Sequence, residues 1–113
     1  MTKGKIVLVP FPFDDLSASK VRPAVVLTEP IGPHRHVVLA FITSQIPTLL
    51  LESDLVLAPN QPDFQATGLR TASALRLHRL LTAPTSLAQR ELGELSPFLQ
   101  SQVAEKLRRL FGL

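Results

Sequence analysis

Ten prolines set the scale of what this chain can build. Pro10, Pro12, Pro23, Pro30, Pro33, Pro47, Pro59, Pro62, Pro84 and Pro97 cut the 113 residues into short stretches, and the apolar runs between them have strand length. These runs are Lys5 to Val9, Ala24 to Thr28, Val37 to Ile42, Asp54 to Leu57 and Ala74 to Leu77, with a further one at Leu80 to Thr82, and Val, Ile and Leu dominate them. The prolines are expected to flank the strands and not to sit inside them. The intervals leave little room for crossover helices, which favours an antiparallel sheet or small closed barrel over a parallel α/β sheet. The body of the chain therefore reads as a β-barrel.

The last third follows another rule. Leu99, Val103, Leu107 and Leu110 recur at intervals of four, four and three, which places them on one face of a helix. Ser96 is the expected N-cap, Pro97 the first helical residue and Gly112 the stop. A shorter helical turn is expected from Ser86 to Leu92, ended by Gly93. The expectation is one domain over residues 1–113, mainly β with a C-terminal helix.

Composition narrows the function classes. A chain 45% hydrophobic and 19% charged buries a core and is not intrinsically disordered. The lack of cysteine excludes a disulfide scaffold, a thiol nucleophile and a Cys-ligated zinc site, and suits a reducing compartment. No run approaches the roughly 18 apolar residues of a membrane span, and the N-terminal run is too short for a signal peptide, so the cytoplasm is expected and no membrane partner. The net charge of +3 suits a polyanionic partner without identifying one. His34 and His36 have a spacing that can ligate a metal, but no further ligand lies close in sequence, so no metal and no cofactor are expected. Lys106, Arg108 and Arg109 fall near the end of the expected helix, where the helix dipole favours cations in any case.

Three segments, taken in order, carry more. The first is Lys3-Gly4-Lys5-Ile6-Val7-Leu8-Val9, a loop from Phe11 to Val21 too long for a tight hairpin, and then Ser19-Lys20-Val21-Arg22-Pro23-Ala24-Val25-Val26-Leu27. The second is Ala40-Phe41-Ile42-Thr43-Ser44. The third runs from Gly68 to Leu80 and is followed by Leu92-Gly93-Glu94-Leu95-Ser96 and the terminal helix. Together they resemble the toxins of the MazF/PemK/Kid family, the RNA-cleaving halves of bacterial toxin–antitoxin pairs, over nearly the whole chain. The resemblance implies an SH3-like or CcdB-like β-barrel, a homodimer with the RNA path near its interface, and metal-independent endoribonuclease activity on single-stranded mRNA. It also implies neutralisation by a small antitoxin protein and binding of promoter DNA together with that antitoxin.

Metal-free RNA cleavage uses the substrate's own 2′-OH, so the protein must supply a base, an acid and donors for the charge that builds on phosphorus. By the resemblance, Arg22, Thr43, Ser44, Arg76 and His78 are the catalytic candidates. Arg22 can clamp a phosphate bidentately, and the hydroxyls of Thr43 and Ser44 can donate to phosphate or ribose. Arg76 and His78 stand two apart in a strand and are expected on one face, as a charge stabiliser or acid and a base. Kid-like members carry an Asp where this chain has His78. Many members also carry a loop Glu before the Arg-Pro, where this chain reads Leu16-Ser17-Ala18-Ser19-Lys20-Val21. Asp14 and Asp15 are the upstream carboxylates that could replace it. Together with Ser19, Lys20, Arg70 and Arg79 they are the candidates for substrate contact. An antitoxin is expected to lie as an acidic segment over Arg22 and Arg76. The competing reading is a barrel that binds nucleic acid or antitoxin and cuts nothing.

Overall fold

The computed structural model describes residues 1–11 and 20–113. Strands β1 (Lys5–Phe11), β2 (Lys20–Val26), β3 (His36–Thr43), β4 (Asp54–Leu57), β5 (Ser73–Pro84) and β6 (Arg90–Glu94) precede one helix, α1 (Pro97–Phe111). All pairings are antiparallel, in the order β4-β5-β3-β2-β1-β6, and the sheet curls into a half-barrel. β4 and β6 are its two edges. The seam between them is occupied by a 3-10 turn, Gln65–Thr67, which packs on β6. A Cβ on Gly68 would collide with the Leu92 carbonyl, and one on Gly93 with the Ala66 and Thr67 backbone, so the seam closes only because these two residues have no side chain.

Several expectations are corrected. Pro10 lies inside β1 and Pro23 inside β2, opposite Val21 and Leu8. Both are tolerated because each strand has lost its other neighbour there: β1–β6 pairing ends at Leu8 and β2–β3 pairing at Ala24, so the missing N–H breaks no bond on that side. The expected helical turn over Ser86 to Leu92 is instead a 3-10 turn, Thr85–Leu87, followed by β6. Pairing with β1 holds Arg90 to Gly93 extended, which overrides local preference. The two runs at Ala74 to Leu77 and Leu80 to Thr82 are one strand, β5.

The apolar alternation of the strands gives the sheet two buried faces. Ile6, Val25, Ala40, Ile42, Leu57, Leu75 and Leu77 form one core with Leu95 and with Leu99 and Val103 of α1. Val7, Val9, Ala24, Val26, Val37, Leu39, Phe41 and Ala83 form the other. The helix begins as its sequence dictates: Ser96 Oγ accepts from the Leu99 N–H at 3.1 Å, Pro97 follows, and Gly112 ends it with φ 69°. Leu107 packs against the core, but Leu110 is left 38% exposed. The helix is also fastened to the segment before β4. Lys106 Nζ donates to the Glu52 carbonyl at 2.8 Å, and Arg109 reaches both Glu52 and Glu105 at 3.2 Å. Among the described residues no helix is long and apolar enough to cross a membrane.

Candidate active site

The site lies where β2 and β3 part. Their ladder ends at Ala24 opposite Phe41. Arg22, two residues before Ala24 in β2, and Thr43, two residues after Phe41 in β3, stay on the face of Ala24 and Phe41 by strand alternation. Between them opens a cavity of about 300 Å³ lined by Arg22, Phe41, Thr43, Ser44, Gln45, Arg76 and Arg79. It is the polar end of the second core, so Phe41 is shared by core and cavity.

β5 supplies two of the guanidiniums through an irregularity. Arg76 pairs with Phe41, yet the next β3 residue, Ala40, pairs with Leu80. Leu77, His78 and Arg79 thus oppose no β3 residue, forming a bulge. The bulge inverts the alternation of β5. Before it the even-numbered Arg76 shares the face of Phe41; after it the odd-numbered Leu81 and Ala83 share that face with Leu39 and Val37. Arg79, not His78, therefore accompanies Arg76 into the cavity. The expectation that Arg76 and His78 share a face is corrected by this bulge. His78 is exposed, with Nδ1 3.5 Å from Ser53 Oγ and outside the cavity lining.

Arg76, Arg79 and Thr43 each have a defined support. Arg76 faces Asp54 across the β4–β5 ladder, with Nε 3.0 Å from Oδ1 and Nη2 3.4 Å from Oδ2. The Asp54 side chain is wholly buried and also accepts from the Leu51 N–H at 2.9 Å. The Arg79 guanidinium carbon lies 5.0 Å from the centre of the Phe41 ring, a cation–π contact. Thr43 Oγ1 accepts from the Gln45 N–H at 3.1 Å, which fixes the turn after β3 and leaves the hydroxyl hydrogen to donate elsewhere.

Arg22, Thr43, Ser44, Arg76 and Arg79 are thus brought together as the sequence suggested. Arg70 is exposed ahead of β5 and does not line the cavity. Lys20 is in β2, two residues before Arg22. Asp14, Asp15 and Ser19 lie outside the described residues. Sequence reasoning missed Gln45, although it directly follows Thr43-Ser44, and it missed Asp54, whose place opposite Arg76 depends on a register that no local pattern reveals. Guanidinium forks and hydroxyls converging on one concave surface are suited to the oxygens of a phosphodiester.

The family described as PemK-like, MazF-like toxin of type II toxin–antitoxin systems matches residues 2–111. No curated protein matches the chain. Among solved structures, the Mycobacterium tuberculosis toxin MazF-mt6 superposes with a TM-score of 0.72 at 22% identity, covering 96% of this chain and 97% of that one. A mycobacterial structure described as an endoribonuclease in complex with its cognate antitoxin superposes with a TM-score of 0.70 at 15% identity, covering 100% of this chain and 96% of that one. At these identities the superpositions speak for the fold. The match over residues 2–111 speaks for the lineage, and the chain belongs to the PemK-like, MazF-like toxins of type II toxin–antitoxin systems.

Proposed function

We propose that this toxin is a metal-independent endoribonuclease acting on single-stranded RNA such as mRNA, with the cavity at the parting of β2 and β3 as its active site. The observation that carries the reading is the convergence of Arg22, Arg76 and Arg79 with the Thr43 and Ser44 hydroxyls in one cavity. In the reaction the substrate's 2′-oxygen bonds to phosphorus and gives its proton to water, the described lining holding no carboxylate or imidazole to take it. The P–O5′ bond then breaks and the leaving oxygen takes a proton from water, giving a 2′,3′-cyclic phosphate and a 5′-OH end. Arg22 and Thr43 hold the scissile phosphate, with Ser44 assisting. Arg76, held by Asp54, stabilises the charge on the phosphorane. Arg79 contacts the neighbouring nucleotide, and the exposed His78, outside the lining, has a minor part.

The partners follow the same reading: a cognate antitoxin whose acidic segment covers Arg22 and Arg76, a second copy of the toxin as homodimer, and promoter DNA bound together with the antitoxin, in the cytoplasm. A related structure described as an endoribonuclease with its cognate antitoxin supports the first of these. One observation favours the second reading, a barrel that binds without cutting: the described lining of the cavity holds no carboxylate and no imidazole.

Incubation with a long single-stranded RNA in EDTA separates the two. Discrete cuts bearing cyclic phosphate ends, lost in Arg22→Ala, support the nuclease. RNA retained intact at high protein concentration supports the binding barrel.

A further inference from the structure

Arg76 is not the only unusual member of its pair. Asp54 begins an edge strand, yet its carboxylate is completely inaccessible, whereas carboxylates are seldom buried without a strong reason. A buried ion pair is a poor source of stability, because desolvation offsets most of the attraction. Its geometry serves something else. Asp54 takes Arg76 side-on, through Nε and Nη2, and the Leu51 N–H takes up Oδ2. The carboxylate is thereby anchored by its own turn, and its contacts with Nε and Nη2 oppose rotation of the planar guanidinium about its last bonds. The Arg76 side chain lines the cavity and is 20% exposed.

We propose that Asp54 is a positioning residue for RNA cleavage: it holds the Arg76 guanidinium in the orientation that meets charge developing on the phosphate. The proposal rests on the nuclease reading above and names a residue outside the cavity lining. It requires that Asp54 act on the transition state and not on RNA affinity. The carboxylate opposes the attraction of the cavity for a polyanion, so an apparatus built for binding alone would do better without it.

Asp54→Asn tests this. The amide can still accept from Nε through its oxygen, but its NH2 then faces Nη2, donor against donor, and the guanidinium is turned away. The expected result is a kcat at least tenfold lower with KM unchanged or reduced, because one negative charge beside the cavity has been removed. Binding of a short 2′-O-methyl RNA of mixed sequence should be no weaker than in the wild type and steeper in its salt dependence. A kcat within threefold of the wild type overturns the proposal, as does a loss of affinity in step with activity, which marks Asp54 as a mere strut. Arg76→Lys guards against a misfolded variant: it keeps Asp54 and the charge but cannot accept the side-on grip, and it should also lose kcat while keeping RNA affinity.

If the wild type cuts no RNA, the nuclease reading falls and this proposal, which rests on it, falls with it; wild-type cleavage with an unimpaired Asp54→Asn variant overturns the positioning claim alone.

Discussion

Ser53 Oγ lies 3.5 Å from His78 Nδ1, on the β4 side of β5, while Arg79 next in sequence stands over the Phe41 ring in the cavity. Neighbouring residues of one bulge thus serve different surroundings. His78→Ala is expected to lower RNA cleavage less than tenfold, and Arg79→Ala to lower it more than tenfold. Initial rates on one mapped cleavage site, compared at equal protein concentration, check the order of the two effects.

The seam of the barrel should be its most sensitive point to a single added methyl group. Gly93 has backbone carbonyls of Ala66 and Thr67 where a Cβ would stand, and backbone cannot swing aside as a side chain can. Gly93→Ala is expected to cost about 1–3 kcal/mol or more, read as a Tm lowered by at least ~4 °C. Gly112→Ala is the control. Nothing lies within 4 Å of its Cβ position, so only the left-handed backbone with φ 69° opposes it, at about 1 kcal/mol.

At the start of α1, Ser96→Ala removes the acceptor for the Leu99 N–H and should cost about 1 kcal/mol. Leu99→Ala, three residues on, empties a side chain that is 3% exposed and should cost about 2–5 kcal/mol. Urea unfolding midpoints at constant slope distinguish the two magnitudes.

Lys5 ties β1 to β6 through Glu91 at 3.1 Å and Glu94 at 3.5 Å. The hydrogen bond to Glu91, and then the two negative charges, hold its pKa above the ordinary lysine value of 10.5. A raised folded-state pKa means that the stabilisation is complete below 10.5 and disappears as pH rises through the raised value. Lys5→Gln should therefore leave the pH dependence of Tm unchanged across the neutral range and flatten its decline in alkali. High salt should erase the difference, since the pair is at the surface.

How much of this was legible depended on whether the physics was local. The cap at Ser96, the stop at Gly112 and the face of Leu99 and Val103 are written within a few residues of one another, and the structure repeats them. Strand β4 was legible to the residue, Asp54–Leu57. Strand β6 was not, because Arg90 to Glu94 has no apolar run of its own and is extended only by its bonds to β1. The grouping of Arg22 with Thr43 and Arg76 was legible through family resemblance. The exchange of His78 for Arg79 was not, because period two applies only while a strand keeps one register, and β5 changes register between Arg76 and Leu80. Asp54 was hidden for the related reason that a cross-strand partner is a property of two strands.

The glycine-lined seam also says something about the order in which the molecule assembles. Hairpin-like neighbours such as β4 with β5 can zip as soon as the turn between them is made, but the 3-10 turn at Gln65–Thr67 meets β6 only after β5 has run its whole length and returned. Before that moment Leu92 and the Leu69 beside Gly68 have no settled place against the core, and α1 has only part of its platform. Closure of the seam is a long-range contact that is entropically costly until most of the sheet exists, so it belongs to the late part of folding. A toxin emerging from the ribosome therefore completes its half-barrel only after β6 has been made, when the cavity on its other face already has all its strands.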